Sequence, residues 1–149
     1  MNTHRRSLLG LLATLPFIAP LSARAATRVQ VYKSPTCGCC AAWVDHLRAA
    51  GFAVDVTETN DTRSVVQRLG MPDHLAGCHS AVVDGYVLEG HVPAAEVKRL
   101  LATKPQAIGL AVPGMPVGSP GMEQGARKDA YQVVLVDRKG GESIFASYR

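Results

Sequence analysis

Pro35-Thr36-Cys37-Gly38-Cys39-Cys40-Ala41-Ala42-Trp43 places three cysteines within four residues. Residues 28–32 before it (Arg-Val-Gln-Val-Tyr) alternate polar and apolar, which predicts a strand. Residues 41–50 behind it predict a helix, with Trp43 and Leu47 stacked at i, i+4 and Gly51 as its stop. A strand therefore enters a helix through a cluster of thiols. Three is an odd number for such a place, since a redox pair needs two and a closed zinc site usually has four. The fourth cysteine of the chain, Cys78, lies 38 residues beyond Cys40 in the loop Cys78-His79.

Outward from this stretch the pattern continues to alternate. Residues 52–56 predict a second strand, and Asn60 or Asp61 caps a helix carrying Val65, Val66 and Leu69, ended by Gly70 and Pro72. Ala81-Val82-Val83 and Tyr86-Val87-Leu88 flank Asp84-Gly85, a strong hairpin signal. Pro93 suits the first turn of a helix with Val97, Leu100 and Leu101. From 105 to about 129 the chain is rich in proline and glycine and is expected to be a long functional loop. Residues 131–136 and 143–146 around Gly140-Gly141 predict a second hairpin.

The first 25 residues do not belong to this pattern. A basic start at Arg5-Arg6, an apolar run over 7–21 and Ala23-Arg24-Ala25 form an export signal with a small-residue cleavage site. The run holds Pro16 and Pro20 and is about 15 residues long, against the roughly 20 needed to span a bilayer. Arg5-Arg6 also suits twin-arginine export, and the route is left open between the two bacterial systems. Cleavage leaves about 124 residues, 26–149, as a single domain able to bury its own core. The whole chain has 16 basic and 12 acidic residues; three arginines depart with the leader, so the mature chain carries 13 against 12. Nothing basic enough for nucleic acid remains, and no membrane association is expected after cleavage. Four cysteines in an exported chain also allow two structural disulfides in three pairings.

Order and motif resemble the thioredoxin/glutaredoxin fold, an α/β domain with β-α-β-α-β-β-α order, here with a long Pro/Gly/Met loop and an added C-terminal hairpin. The resemblance implies that the first helix points its N-terminal end at the cysteines, where free N–H groups and the helix dipole enrich the thiolate. Thiolate is the nucleophile of disulfide exchange and also the ligand of soft metals. Matched to that fold, His79 takes the place of the family's cis-proline, and Cys78, one residue earlier, faces the other three thiols. No proline occurs between Asp73 and Pro93, so the group that docks substrate chains and keeps metals away is absent. An all-thiolate nest favours Cu(I), zinc or iron–sulfur centres. Crowded neighbouring thiolates bridge several Cu(I) ions more readily than they wrap one tetrahedral ion.

Cys37-Gly38-Cys39-Cys40, Cys78-His79, Glu89-Gly90-His91-Val92-Pro93-Ala94 and the loop Pro113-Gly114-Met115-Pro116-Val117-Gly118-Ser119-Pro120-Gly121-Met122-Glu123 together resemble the CopG family. These are exported bacterial proteins of copper and metal resistance, long filed as a domain of unknown function. The resemblance spans about residues 28–148 and implies a periplasmic copper-handling protein. Copper, as Cu(I) and as a multinuclear cluster, would sit on Cys37, Cys39, Cys40 and Cys78. Interconversion of Cu(I) and Cu(II) and contact with other periplasmic copper proteins are part of that expectation. His79, His91, Met115 and Met122 are candidates for further ligands or for groups that shield the metal, with packing roles as the alternative. His91 reads first as a hydrogen-bonded structural residue, His46 as solvated on the first helix, and His74 as a loop residue without a partner. Trp43 and Met71 read as core. The rival function is a metal-free thiol–disulfide oxidoreductase in which Cys37 attacks and Cys40 resolves.

Overall fold

The computed structural model describes residues 25–149, so the cleaved leader expected over 1–25 lies, but for its last residue, outside the described residues. The elements follow as β1 (Arg28–Lys33), α1 (Gly38–Ala49), β2 (Ala53–Glu58), α2 (Thr62–Leu69), a 3-10 turn (Asp73–Leu75), β3 (His79–Val83) and β4 (Tyr86–Gly90). Then come α3 (Ala94–Thr103), β5 (Ala107–Val112), β6 (Tyr131–Asp137) and β7 (Glu142–Tyr148). All seven strands join one mixed sheet in the order β2-β1-β3-β4-β5-β6-β7. β1 and β2 are parallel, β3 is antiparallel to both β1 and β4, and β4 and β5 are parallel across the α3 crossover. The α/β class and the expected β-α-β-α-β-β-α order hold through residue 103, an arrangement compatible with a thioredoxin-like core.

Alternate strand residues feed two separate cores, as the period of two requires. Leu88, Leu110, Val112 and Val133 join Trp43, Val44 and Leu47 of α1 and Val97 and Leu100 of α3. Val87, Ala111 and Val136, their neighbours along the strands, join Val66 of α2 with Met71 and Leu75. α1 and α3 therefore cover one face and α2 the other. Trp43, Leu47, Leu88, Leu100 and Leu110 have no exposed surface, and each such side chain contributes roughly 1.5–3 kcal/mol of burial. Local signals act as expected. Asp61 caps α2 by accepting from the Ser64 amide at 3.1 Å, and Gly70 ends it in the left-handed region. Asp84 and Gly85 turn the β3–β4 hairpin with φ of 48° and 81°.

One element was hidden in the proline- and glycine-rich stretch. β5 is an internal strand where a loop is expected, and the loop proper runs only over residues 113–130. A strand covered on both faces reads as a continuous apolar run, Ala107-Ile108-Gly109-Leu110-Ala111-Val112, without the alternation that marks an exposed one. Gly109, which reads as a breaker, is a packing requirement: a Cβ there would lie 1.7 Å from the Val87 carbonyl oxygen of β4.

The 113–130 loop is tied to itself and to α1. Gly118 and Met122 exchange contacts across a tight turn, with Gly118 N–H donating to Met122 O at 3.0 Å and Met122 N–H to Ser119 O at 2.8 Å. Ser119 and Pro120 are buried at its centre. Gly121, at φ 84°, lies so close to α1 that a Cβ would meet the Cys39 carbonyl oxygen at 2.7 Å and the Trp43 nitrogen at 2.8 Å. The loop thus sits directly on the helical turn that carries the cysteines. Among the described residues no helix is long and apolar enough to cross a membrane.

Candidate metal centre

The chain turns from β1 into α1 at Cys37, the N-cap residue, whose sulfur accepts from the Cys40 amide at 3.3 Å. A thiol in the capping position fills the role usually taken by a hydroxyl or carboxylate. One helical turn then brings Cys37 and Cys40 together, and the two are joined as a disulfide. Cys39 and Cys78 are free thiols. Cys39 Sγ lies 3.5 Å from Cys37 Sγ and 3.8 Å from Cys78 Sγ. All four sulfurs lie within 4.8 Å of one another. Sulfurs sharing one tetrahedral ion at metal–sulfur lengths of about 2.3 Å stand roughly 3.8 Å apart. The spacing of Cys39 to its neighbours meets that condition already; Cys37 and Cys40 meet it only after reduction separates them. The donor set fits a soft metal in the dithiol state.

Cys78 arrives from the loop before β3. β3 pairs with β1 so that Lys33 stands opposite His79, which sets Cys78 across from the start of α1. Two imidazoles border it, His79 Nδ1 and His91 Nε2, each 3.4 Å from Cys78 Sγ. His91 Nδ1 lies 2.8 Å from the Pro120 carbonyl oxygen. A carbonyl only accepts, so Nδ1 carries the proton and Nε2 turns a lone pair toward the sulfur. His79 is fully buried, its ring 4.4 Å from Trp43 and 5.0 Å, edge-on, from His91. Its Nε2 has no hydrogen-bond partner of ordinary geometry among the described residues. Trp43 in turn donates from its indole N–H to the Val92 carbonyl at 2.8 Å, locking the wall of the site.

Burial sets the protonation here. Desolvation, and then the neighbouring His91, holds His79 down to about 3, and desolvation also lowers His91. Both rings are therefore neutral at pH 7. Desolvation and then Cys39 push the Cys78 thiol up to about 12, so it keeps its proton at neutral pH.

A residue that the sequence did not single out underlies the loop. Glu89 of β4 is fully buried, accepting from the Gly77 amide and the Ser80 hydroxyl, both at 2.7 Å. It thereby grips the residues on either side of Cys78-His79. The signal available in the sequence was a carboxylate inside an apolar hairpin strand, a charge that only a buried partner explains. Burial raises Glu89 to about 7, against an ordinary 4.5. Between these two values the folded protein holds a proton that the unfolded chain releases, so its contribution to stability falls as pH rises through that window. The shift corresponds to about 3 kcal/mol, fully lost above pH 7. Glu89→Gln keeps the Gly77 contact through its amide oxygen and meets Ser80 with its NH2 donating to the hydroxyl, without a charge. Urea unfolding of metal-free protein is expected to show it more stable than wild type by about 2–3 kcal/mol at pH 8, with no gain near pH 4.5. An equal effect at both pH values would contradict this account.

Two structures of the copper resistance protein CopG, in its Form 2 and Form 1, match this architecture at TM-scores of 0.80 and 0.79. Each is 47% identical in sequence, and the match covers 83% of this chain and 99% and 98% of theirs. The chain belongs to the CopG family. The family model described as "Protein of unknown function, DUF411" matches residues 75–122. That segment holds Cys78, His79, His91 and both loop methionines, but not the cysteines of α1. No curated protein matches the chain.

Within this CopG-family fold, Cys37, Cys39, Cys40 and Cys78 converge, and His79 and His91 join Cys78 in a second group. Met115 is 43% exposed in a turn of positive φ, and Met122 is half-buried one residue past the point where the loop touches α1. Two histidines differ from expectation. His46 is not simply solvated: its Nε2 accepts from the Ala94 amide at 3.0 Å, supplying the cap that Pro93 cannot offer to α3. His74 has a partner, Glu142 of β7, at 2.6 Å. Neither contact was visible locally, because each joins segments at least 48 residues apart. Met71 lies in the core as expected.

Proposed function

We propose that this CopG-family chain is an exported copper-binding protein of copper homeostasis and resistance, with Cu(I) as its cargo. The observation that carries the reading is the meeting of four sulfurs from two separate segments, the start of α1 and the loop before β3, within 4.8 Å. Thiolate surroundings favour Cu(I), and two neutral imidazoles border the site. The two matching structures are both of a copper resistance protein, which supports the same cargo here. The leader pattern of residues 1–25 supports a periplasmic location. The loop over 113–130, with Met115 and Met122, shields the site from one side.

The cysteines can also move electrons. Two thiols closing to a disulfide release two electrons and two protons, enough to reduce two Cu(II) ions to Cu(I). Cys37 and Cys40 are placed for that step, and their disulfide is its product. Reopening it needs an external dithiol reductant.

The deciding experiment is anaerobic titration of reduced mature protein with Cu(I), reading bound copper per chain by elemental analysis. More than one copper per chain is expected; none would end this reading. The affinity should depend on pH. Because the Cys78 thiol keeps its proton up to about 12, Cu(I) must expel that proton, and apparent affinity falls about tenfold for each unit that pH is lowered, per proton displaced. Competition with a Cu(I) chelator at pH 8, 7 and 6 measures the slope. A flat profile would exclude Cys78 as a thiolate ligand.

The Cys37–Cys40 disulfide favours a second reading, a metal-free thiol–disulfide oxidoreductase. It requires turnover of a disulfide substrate without metal, strongly reduced in Cys37→Ser and almost unchanged in Cys78→Ser.

A further inference from the structure

Four cysteines allow three disulfide pairings, and the structure favours one of them. Cys37 and Cys40 are joined, so the sulfurs left over belong to Cys39 and Cys78. These two stand 3.8 Å apart, one on the first turn of α1 and the other in the loop before β3. A disulfide holds its sulfurs at about 2.05 Å, so closure needs an approach of roughly 1.8 Å. Turning the two side chains about their Cα–Cβ bonds moves the sulfurs on that scale. Cys39 also lies 3.5 Å from Cys37 Sγ, but that sulfur is already spent. Cys40 is fully buried, whereas Cys39 and Cys78 are only half-buried and keep access to solvent.

Both free thiols are held where they meet. The Gly77 amide and the Ser80 hydroxyl, on either side of Cys78-His79, donate to Glu89 at 2.7 Å. A Cβ on Gly77 would stand 3.0 Å from Gly90 Cα, so the loop lies flush against the end of β4. Cys39 is held from the other side, where a Cβ on Gly121 would meet its carbonyl oxygen at 2.7 Å. Packing therefore presents one thiol to the other, and a reaction between them needs no encounter of distant segments.

We propose that Cys39 and Cys78 are a second redox pair, so that the fully reduced chain delivers four electrons to Cu(II) rather than two. The proposal rests on the reading of this chain as a copper protein whose thiols reduce Cu(II), and it assigns the second half of that capacity. In the first stage Cys37 and Cys40 form one S–S bond, lose two protons and reduce two Cu(II) to Cu(I). In the second stage the S–H bonds of Cys39 and Cys78 break and both protons pass to solvent. One further S–S bond forms, and its two electrons reduce two more Cu(II). The half-oxidised chain, with one disulfide and two thiols, is the form seen in the structure. The fully oxidised chain has no thiolate left for a soft metal, so it releases its Cu(I). An external dithiol reductant restores all four thiols.

The test mixes fully reduced mature protein with excess Cu(II) under anaerobic conditions and reads Cu(I) through its coloured complex with a Cu(I)-selective chelator. Four Cu(I) per chain are expected from wild type. A twofold fall, to two, is expected in Cys39→Ser, in Cys78→Ser and in Cys37→Ser/Cys40→Ser. Circular dichroism checks that each variant is folded, and non-reducing gel filtration checks that no chains have become linked. Peptide mapping of the oxidised wild type needs no variant and should find Cys39 joined to Cys78. Two Cu(I) per chain from wild type, with Cys39 and Cys78 still open to alkylation, would overturn the proposal and leave the copper-binding reading standing. Closure of Cys78 onto Cys37 or Cys40 would overturn it equally. Reduced wild type that neither binds Cu(I) nor reduces Cu(II) would overturn both.

Discussion

Cys78→Ser is expected to reduce the copper load of the reduced protein from several ions per chain to one or none. Cys78 Sγ is the donor common to both groups, 3.8 Å from Cys39 Sγ and 3.4 Å from each imidazole. A serine hydroxyl is a hard, essentially un-ionised donor that soft Cu(I) does not take in place of thiolate. Its loss disconnects the sulfurs of α1 from the histidines, and bridging between metal ions loses its central sulfur. The three cysteines left, Cys37, Cys39 and Cys40, share one turn at the start of α1, which limits them to a single ion. Elemental analysis after anaerobic loading and desalting measures the effect. Cys78 contributes nothing to the hydrophobic clusters, so unfolding midpoints of the metal-free protein should move little. The metal-free oxidoreductase makes the opposite prediction, since its chemistry needs only Cys37 and Cys40. An unchanged copper load in Cys78→Ser would remove the loop before β3 from the site.

Gly109→Ala is expected to be the most damaging single-methyl change in the fold. The added Cβ would fall 1.7 Å from the Val87 carbonyl oxygen and 2.6 Å from its carbon, inside covalent territory. Relief requires β5 to move away from β4, and these strands are paired from Val87↔Gly109 to Gly90↔Val112 in the middle of the sheet. Those pairs carry Leu88 and Leu110 into one core and Val87 and Ala111 into the other, so separation disturbs both layers at once. A loss of about 4 kcal/mol or more is expected, beyond the ordinary range for single substitutions. Urea or thermal unfolding of the purified variant measures it, and failure to accumulate folded protein is the extreme form of the same result. Gly140→Ala is the contrast: its added Cβ meets nothing within 4 Å, although φ is 83°. A loss at Gly109 no larger than at Gly140 would show that the sheet accommodates the methyl group.

Much of the fold was legible because its signals are local. The Asp61 cap, the Gly70 stop, the Asp84-Gly85 turn and the spacing of Trp43 and Leu47 all act within a few residues, and the structure uses each of them. β5 was illegible for the opposite reason. Gly109 reads as a breaker until Val87 stands beside it, and burial on both faces removes the alternation by which a strand is recognised. Glu89 was missed similarly, since its partners Gly77 and Ser80 face it only once β3 and β4 have paired.

By itself the sequence determined that a strand delivers three thiols to the start of a helix, and that the chain folds as an α/β domain. It also set which atoms are soft enough to take copper, because donor chemistry is a property of the side chain alone. Tertiary structure decided how those atoms divide. Helical geometry brings Cys37 to Cys40 as a disulfide, and β1–β3 pairing lays Cys78 beside Cys39. The buried Pro120 carbonyl then turns the lone pair of His91, rather than its proton, toward that sulfur. The physical reason is that a lone pair's direction depends on the hydrogen bond made by the opposite ring nitrogen, and that bond reaches across 29 residues of chain.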